Sequence, residues 1–467
     1  AEVEGAVGEL VRAERAVAGE LIDGDGERRV AARSVFETLL RWKRAAARPD
    51  FRALPLEHLP AWVARQQGLI ERAHDVEGLQ RALEKLFGAT LPAGLWEREV
   101  LTARLGPYQP AWLDALFDDS ELVWTGSGIE RATFVFRHDL DLLTPDEGGG
   151  AGDGPPGDAL EHRLLQALRA APRGLDLTGL AEATGAGTAV VTTTLWSLAW
   201  RGRVACDSMR ALRQGVLAGF QPVAASGAPD SGRPSRRGAF RRWQGSRPFP
   251  GRWFAAERAA PDPIAAEERN RERARLLLER WGVLFRELTA NELPALSWGR
   301  LARSLRALEL AGEVVAGRFF EGIPGLQFAA PSALARLREG EAGDALWWQS
   351  AADPSSLAGL DLAELKAALP RRLPTTHVVW RGARVAAVLR RSGRELEFRV
   401  PADDPELGSL VEPLRVALTR AFDPERSLEV ESINGAAADG SAWRGALDAF
   451  AVTREGGGVL RLRRRWS

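Results

Sequence analysis

The sequence predicts an α+β protein, mainly α, in which tandem winged-helix domains are followed by a β-barrel-like module. Three observations predict this class. A series of helices followed by short strands occurs three times along the chain. Two stretches without apolar periodicity separate these units. The C-terminal part then changes to short strands joined by glycine-containing turns, and 467 residues are too many for a single core.

The predicted organisation has four folded parts and two linkers. Thr144 to Asp158 is rich in glycine and proline, and the stretch that follows the second unit is rich in arginine. The parts in chain order are a helical and winged-helix part (1–143), the Gly/Pro linker (144–158), a winged-helix domain (159–223), the basic linker (224–252), a further winged-helix domain (253–340) and the β-rich module (341–467).

The N-terminal part is expected to be mostly helical and to end in a wing. Ser34 is a suitable N-cap before an apolar stripe at helical spacing, and further helices are predicted at 56–67, 76–87 and 110–117. Residues 121–125 and 133–137 read as two strands with a glycine-containing turn between them.

The middle unit has the order of a helix-turn-helix domain. Helices are predicted at 159–170, at 176–184 with Asp176 as the cap, and at 188–201, followed by a strand at 203–206. The third helix of such a domain usually enters the major groove.

The C-terminal half repeats this order before it becomes β-rich. Its predicted winged helix consists of helices or short elements at 263–281, 287–293, 298–311 and 332–338, with wing strands at 314–320 and 326–329. The β-rich module is expected to contain strands at 376–380, 385–390, 395–400, 428–433 and 459–463, and helices at 406–421 and 443–450.

The charge composition is balanced but unusual. Sixty-three basic residues equal sixty-three acidic ones, which argues against a uniformly basic DNA-coating protein. Only Lys43, Lys85 and Lys366 are lysines, so the other 60 basic residues are arginines. Arginine forms two-pronged contacts with phosphate and guanine, although the codon usage of a GC-rich genome would produce the same excess.

Several classes of protein are not indicated. The single cysteine, Cys206, allows no intrachain disulfide, and no run approaches the ~20 apolar residues of a membrane span. The first residues lack a signal-peptide pattern, so a cytoplasmic protein without a membrane partner is expected. The chain does not begin with methionine, which suggests a processed or truncated chain.

Motifs for ATP hydrolysis and metal binding are not found in the sequence. No lysine follows a glycine, so the Gly-Lys-Ser/Thr loop of an ATPase motor is missing, and ATP and Mg²⁺ are expected only for a motor outside this chain. One cysteine and five scattered histidines offer no metal-ligand spacing, so we predict no metal site.

Arginines on the third helices and beside them are the candidate DNA contacts. Arg300, Arg303 and Arg306 recur at helical spacing opposite a leucine face, which would leave them pointing towards phosphates or simply towards solvent. The remaining candidates are Arg318 on the wing, Arg201 and Arg203 after the middle third helix (with Arg210 and Arg213 beyond), and Arg241, Arg242 and Trp243 in the basic linker.

Tryptophan is frequent, with 16 residues against one tyrosine. Trp42, Trp96, Trp112, Trp281 and Trp298 lie in apolar stripes, where core packing is expected. A tryptophan among arginines can instead stack on an unpaired base, which is the alternative for three residues: Trp243, Trp253 and Trp466.

Two passages resemble the C-terminal region of bacterial large helicase-related (Lhr) proteins. Residues 276–339, with the wing sequence GIPGLQFAAP at 322–331, resemble a late winged-helix segment of that family, and residues 91–126 resemble an earlier one. The last strands, over 427–465, are similar to the end of those proteins, so the resemblance covers nearly the whole chain.

The resemblance implies winged-helix modules and a β-barrel that work behind a superfamily 2 helicase on single-stranded DNA. The modules also resemble the AlkZ/YcaQ DNA glycosylases, which place a Gln/Asp-type pair at the sugar of a flipped base. That pair aligns near Leu91-Pro92-Ala93, ahead of Arg104, and apolar residues cannot orient a water molecule there. The carboxylates Glu97, Glu99, Asp139 and Glu321 receive no role.

Three functional hypotheses follow. The first is a nucleic-acid-binding module of an Lhr-type repair helicase, lacking the ATPase motor. Its partners would be single-stranded or forked DNA, a motor in the same or another polypeptide, and further copies of this chain. The second is a DNA glycosylase of AlkZ/YcaQ-like type. The third is a scaffold for protein interaction or oligomerisation.

Overall fold

The computed structural model describes residues 2–22, 26–46, 51–144, 159–220, 250–256, 262–338 and 343–465. Most of both predicted linkers lies outside these ranges. So do Arg241, Arg242, Trp243 and Trp466. None of the helices in the described ranges is long and apolar enough to cross a membrane.

The first 46 residues form a small α/β segment. Its elements are α1 (Glu2–Arg12), β1 (Ala16–Glu20), β2 (Arg28–Ala32) and α2 (Arg33–Ala46). Strands β1 and β2 pair antiparallel, so the expectation of a mostly helical start missed this hairpin. The apolar stripe of α2 is exposed, and Trp42, which we expected in a core, is 66% exposed.

The first winged helix is assembled from short helices and a hairpin. Its elements are α3 (Leu59–Gln66), α4 (Val76–Glu84), β3 (Leu91–Pro92), a π-helix (Trp96–Val100), α5 (Leu101–Arg104), α6 (Pro110–Asp119), β4 (Leu122–Gly126) and β5 (Arg131–Phe136). Short 3₁₀ turns, Leu56–His58 and Arg137–Leu142, lie at its two ends. The predicted wing hairpin is confirmed, with Leu122 paired to Phe136.

The middle unit follows its predicted order closely. It contains α7 (Ala159–Ala170), α8 (Leu177–Thr184), α9 (Thr188–Trp200), β6 (Val204–Cys206), α10 (Met209–Ala218) and β7 (Trp253–Ala255). The Asp176 carboxylate accepts a hydrogen bond from the Gly179 N–H at 2.7 Å, as the predicted cap of α8.

The first two units share one sheet. Its strand order is β3-β5-β4-β6-β7, and β4 pairs with β6 across the boundary between the units. We had predicted that residue 253 begins the third unit. The structure instead places Trp253–Ala255 at the edge of this shared sheet, with Trp253 only 1% exposed.

The third unit is a complete winged helix. Its elements are α11 (Pro263–Trp281), β8 (Val283–Leu284), 3₁₀ turns (Arg286–Asn291 and Pro294–Leu296), α12 (Trp298–Ala311), β9 (Val315–Gly317), β10 (Gln327–Ala329) and α13 (Pro331–Arg338). The predicted limits of the two long helices, 263–281 and 298–311, agree with the structure. The wing strands are shorter than predicted, and β10 is central between β8 and β9.

The C-terminal module contains two open sheets. The larger has the order β11-β12-β13-β14-β16-β17 and the smaller β15-β19-β18, so no closed barrel forms within the described ranges. Their strands are β11 (Leu346–Ser350), β12 (His377–Arg381), β13 (Arg384–Arg390), β14 (Glu395–Phe398), β15 (Leu428–Val430), β16 (Ser432–Ile433), β17 (Ala436–Ala437), β18 (Ala451–Arg454) and β19 (Leu460–Arg463). Helices α14 (Ala363–Ala368) and α15 (Glu412–Thr419) complete it, with 3₁₀ turns Arg391–Gly393, Leu407–Val411, Ala438–Gly440, Ala442–Leu447 and Gly456–Gly458.

Buried tryptophans confirm most of the core prediction. Trp96 and Trp124 are fully buried in the core that joins the first two units. Trp281 is 2% exposed in the core of the third unit, while Trp112 and Trp298 pack against these cores as partly buried side chains.

Candidate nucleic-acid interface

Helix α12 separates its leucines from its arginines. Leu301 and Leu305 are fully buried, and the buried hydroxyl of Ser304 donates to Glu267 at 3.2 Å. Arg303 and Arg306 project from the opposite face and are exposed, whereas Arg300 is half-buried. This arrangement is what the helical spacing predicts for a helix that packs on one side only.

Arg303 and Arg306 make no ion pair with any side chain that the structure describes. An exposed guanidinium without an internal carboxylate keeps its donors available for an external anion. These two residues are therefore the strongest phosphate-binding candidates on α12.

Arg318 follows β9 on the wing and is exposed. The wing beside it is held by the buried side chain of Gln327, whose carbonyl accepts the Phe319 and Phe320 N–H groups at 3.0 and 2.9 Å. The Gln327 amide also donates to the Phe320 carbonyl at 2.7 Å. The Gln-Phe-Ala sequence thus fixes the wing that carries Arg318.

The surroundings of α12 add positive charge and neutralise nearby acids. The last turn of α2 carries Lys43 and Arg44, and the Arg44 guanidinium donates to the Ala311 carbonyl at the end of α12. Glu313, just beyond α12, is held by Arg275 at 2.9 Å. Its charge is therefore compensated within the protein.

The arginines predicted as DNA contacts in the middle unit, unlike Arg303 and Arg306, have partners within the protein. Arg201 is in an ion pair with Glu161 and also donates to Ser197, so part of its hydrogen-bonding capacity is satisfied internally. Burial lowers the pKa of the half-buried Arg203, and the charges of Arg201 and Arg169 lower it further. The negative charge of Glu161 opposes this effect, so the positive charge here is partly compensated within the protein.

The threonine-rich helix α9 shows no sign of a base-reading surface. The hydroxyls of Thr192, Thr193 and Thr194 donate back to carbonyl groups four residues earlier, at 2.8, 3.1 and 2.9 Å. Such hydroxyl groups keep only their acceptor capacity for a ligand. Of these three side chains only Thr192 is buried, and Thr193 is exposed.

Arg210 and Arg213, predicted as further DNA contacts, pair with acidic side chains of the first unit. Arg210 pairs with Asp118 at 2.7 Å, and Arg213 pairs with Asp114 and Glu97 at 3.0 and 2.9 Å. Helix α6 occupies the third-helix position of the first winged helix, and its acidic side chains hold these arginines. The middle unit is thereby fastened to the first.

Trp253 cannot stack on an unpaired base in this structure. Its ring is 1% exposed and packs edge-on against Trp124 and Trp196, at centroid distances of 5.4 and 5.8 Å. The neighbouring arginines in the sequence had suggested a surface position, but Trp253 is part of a strand.

Glu97 and Glu99 of the π-helix, to which the sequence assigned no role, form ion pairs with other parts of the protein. Glu97 accepts a hydrogen bond from Tyr108 at 2.6 Å in addition to its pair with Arg213. Glu99 binds His377 at 2.8 Å and Arg420 at 3.2 Å, both in the C-terminal module. The sequence spacing gave no indication of these partners.

A second buried ion pair joins the same two parts. The Arg104 guanidinium donates to both oxygens of Asp353, at 2.7 and 2.9 Å, and each of these side chains is 1% exposed. Burial raises the pKa of Asp353, but the charge and hydrogen bonds of Arg104 outweigh it, and the pKa lies below the ordinary value.

A narrow cleft lies where the first unit, the third unit and the C-terminal module meet. Thr90, Glu292 and Arg372 are among its lining residues, and its cavity volume is about 20 Å³. Glu292 pairs with Arg280. Leu91 and Ala93, next to Thr90, are 1% and 3% exposed and cannot orient water in it.

Comparisons with known proteins support the winged-helix assignment of the first and third units. Residues 55–137 and 263–348 match two family models, each described as the winged-helix domain of the large helicase-related protein.

Two relatives are similar over a larger part of the chain. A protein of Mycolicibacterium smegmatis, "Lhr helicase/ probable uracil glycosylase", is 29% identical over 353 residues, which are 69% of this chain and 22% of that protein. A protein of Escherichia coli, "Lhr helicase/uracil glycosylase", is 27% identical over 295 residues, which are 56% of this chain and 18% of that protein. The chain thus spans about a fifth of the length of these relatives.

A solved structure is similar in outline. The Streptomyces sahachiroi DNA glycosylase AlkZ gives a TM-score of 0.47 at 15% sequence identity, covering 80% of this chain and 99% of that one.

Proposed function

We propose that the chain is the nucleic-acid-binding module of a DNA repair helicase, because two of its segments match winged-helix domain models of the large helicase-related protein and two Lhr helicases are similar to it. The module binds the sugar–phosphate backbone of DNA. An ATPase motor in the same or a separate polypeptide supplies the energy for translocation. The strand it prefers is single-stranded or forked DNA.

One observation carries this proposal. The third helix of the matched domain 263–348 presents Arg303 and Arg306 on its exposed face, and its wing presents Arg318. Third helix and wing are the two elements by which winged-helix proteins usually contact DNA. Phosphate contacts supply most of the sequence-independent affinity of such proteins.

The test compares two double variants that lose the same charge. Arg303→Ala/Arg306→Ala removes the proposed contacts. Arg426→Ala/Arg454→Ala removes two exposed arginines of the C-terminal module that likewise lack an ion-pair partner among the described residues. Fluorescence anisotropy with forked DNA measures the Kd of each protein at several salt concentrations.

We expect the first variant to raise the Kd about tenfold or more and to lower the salt slope by roughly 0.7–0.9 per lost phosphate contact. The control variant should bind nearly as the wild type does. Equal losses in both variants, or a wild-type affinity that does not change with salt, would contradict the proposal.

Removal of a damaged base is a second candidate function. Both relatives are named as uracil glycosylases as well as helicases, the M. smegmatis protein as a probable one, and this observation favours the second candidate. The cleft beside Thr90 has room for a water molecule rather than a base, so the site would have to open. Incubation with uracil-containing DNA followed by alkali decides the point, because strand cleavage above the background of uracil-free DNA is required.

A further inference from the structure

The turn between β4 and β5 displays one aliphatic side chain to solvent. Ile129 is 83% exposed, although β4 is buried throughout and β5 is buried except at its ends. Residues 126–131 are called the hairpin tip below. A large apolar side chain at the end of an otherwise buried hairpin is a feature that folding does not require.

Hydrogen bonds within the hairpin tip fix its conformation. The Ser127 N–H donates to the Arg131 carbonyl at 3.0 Å, and the Arg131 N–H donates to the Gly128 carbonyl at 3.1 Å. Glu130 has a φ of 55°, in the left-handed region that non-glycine residues rarely adopt. Such backbone is kept only where its surroundings determine it.

The middle unit and the segment after β3 in the first unit both hold the hairpin tip. The Gly128 N–H donates to the Trp200 carbonyl at the end of α9, at 2.9 Å, and the Glu130 carbonyl accepts the Ala93 N–H at 2.7 Å. Ile129 is therefore presented from a rigid base. Arg203 and Arg201, the latter paired with Glu161, follow within three residues of Trp200.

Two further guanidinium groups lie at the cleft that Thr90 lines. Arg131 donates to the Thr90 carbonyl at 2.8 Å, and Thr90 lines the same cleft as Arg372. Arg372 donates to the Ser356 and Asp353 carbonyls at 2.7 and 2.8 Å. Within the described part of the chain, neither arginine has a carboxylate within ion-pair distance.

Both guanidinium groups are partly withdrawn from water. Burial lowers the pKa of Arg372 and of Arg131, while the negative charges of Asp353 and Glu292 oppose this effect at Arg372. Two partly buried guanidinium groups that donate only to neutral carbonyl and hydroxyl oxygens would be stabilised by an external anion such as a phosphate.

We infer that the hairpin tip is a wedge at the junction of double-stranded and single-stranded DNA. Ile129 packs against the last base pair and replaces the stacking of the next base, while Arg131 and Arg372 hold the phosphate of that unpaired nucleotide. The inference rests on the proposed DNA-binding function and adds where on the DNA the protein sits.

The size of the apolar feature favours a base over a protein partner. Protein interfaces bury about 800 Å² on each side, and a single isoleucine among polar groups does not form such a patch. Single aliphatic side chains do insert at base steps and unstack them. The adjoining arginines supply the complementary charge.

The experiment uses forked DNA with 2-aminopurine at the first base pair of the fork, because its fluorescence rises when it is unstacked. Ile129→Ala is compared with Ile264→Ala, since Ile264 is 84% exposed at the start of α11, away from the hairpin tip. The Kd of each protein for the same DNA is measured by anisotropy, and melting curves check that both variants fold.

We expect the wild type and Ile264→Ala to raise the fluorescence several-fold, and Ile129→Ala to lose most of that rise while its Kd changes less than about threefold. Arg131→Lys should raise the Kd for the fork about tenfold and leave the Kd for blunt duplex nearly unchanged. DNA binding by the wild type without any rise in fluorescence, or a full rise with Ile129→Ala, would overturn the wedge but not the proposed function. Failure of the wild type to bind DNA at low salt would overturn both.

Discussion

Arginine serves two different purposes in this protein. Arg104, Arg273 and Arg280 are 1% exposed or less, and Arg273 alone donates to the carbonyl groups of Asp141, Leu142 and Thr144. With five donors in one plane, a guanidinium group can connect several backbone carbonyls at once. The arginine excess therefore supports the interior as well as any DNA-binding surface.

At the scale of single residues we predict that Asp353→Asn destabilises the folded protein by about 3–5 kcal/mol. The substitution keeps the shape of the side chain but leaves the charge of Arg104 buried without its partner. Urea unfolding followed by fluorescence measures the change in the free energy of unfolding.

Asp361→Asn is the matched control for this change. Asp361 pairs with Lys366 at 3.3 Å, but its side chain is 92% exposed, so loss of this pair should leave the urea midpoint unchanged. Similar midpoints for the two variants would show that the buried pair contributes no more than an exposed one.

At the scale of elements, the π-helix Trp96–Val100 connects three parts of the molecule. It presents Glu97 to Arg213 of the middle unit and Glu99 to the C-terminal module. Short π-helical insertions are often found at functional positions. Here the irregular turn allows two carboxylates only two residues apart to serve different neighbours.

Strand β4 and helix α9 lie very close together at Gly126. A Cβ at this position would lie 2.0 Å from the Ala199 carbonyl oxygen of α9, so any side chain must push the first two units apart. We expect Gly126→Ala to lower the free energy of unfolding by about 1–3 kcal/mol. It should also disturb the hairpin tip, of which Gly126 is the first residue.

Thermal unfolding of Gly126→Ala should be compared with that of Gly187→Ala. Gly187 has no heavy atom within 4 Å of a built Cβ and an ordinary φ of −64°. Because Gly187 is the N-cap of α9, where glycine is preferred to alanine, an alanine there should lower the free energy of unfolding by no more than about 1 kcal/mol. An equal Tm for both variants would contradict the role assigned to the contact at Gly126.

At the scale of the whole molecule, buried ion pairs join the first winged helix to the C-terminal module. Burial raises the pKa of Glu99, but His377 and Arg420 together outweigh it, and the pKa of Glu99 lies below its ordinary value. The pKa of Asp353 is lowered in the same way by Arg104.

The sign of the pH dependence follows from these lowered values. A carboxyl group whose pKa is lower when folded adds stability above its unfolded pKa, about 3.9–4.3, and this stability is lost as the pH falls through the folded pKa. We therefore expect the free energy of unfolding to decrease as the pH is lowered from about 5 to 2.

Urea unfolding at several pH values measures this decrease, and Glu99→Gln should make it less steep. The junction of the two parts would not depend on these carboxylates if stability rose on acidification, or if the variant had the same slope as the wild type.

Local periodicity and caps allowed most long elements to be predicted from the sequence. The limits of α7, α8 and α12 follow from apolar spacing together with Pro172, Asp176 and Gly312 as stop or start signals. The arginine face of α12 was predicted for the same reason, because residues three apart on a helix share a side. These are properties of a few consecutive residues.

Only the tertiary structure decided which surfaces remain available. It paired Arg210 and Arg213 with acids of α6, buried Trp253 in a shared sheet, and left Ile129 exposed on the hairpin tip. It also showed two open sheets among the described residues where the sequence predicts a barrel-like module. Such outcomes depend on contacts between residues far apart in the chain, as for Arg104 and Asp353, and no pattern of neighbouring residues records them.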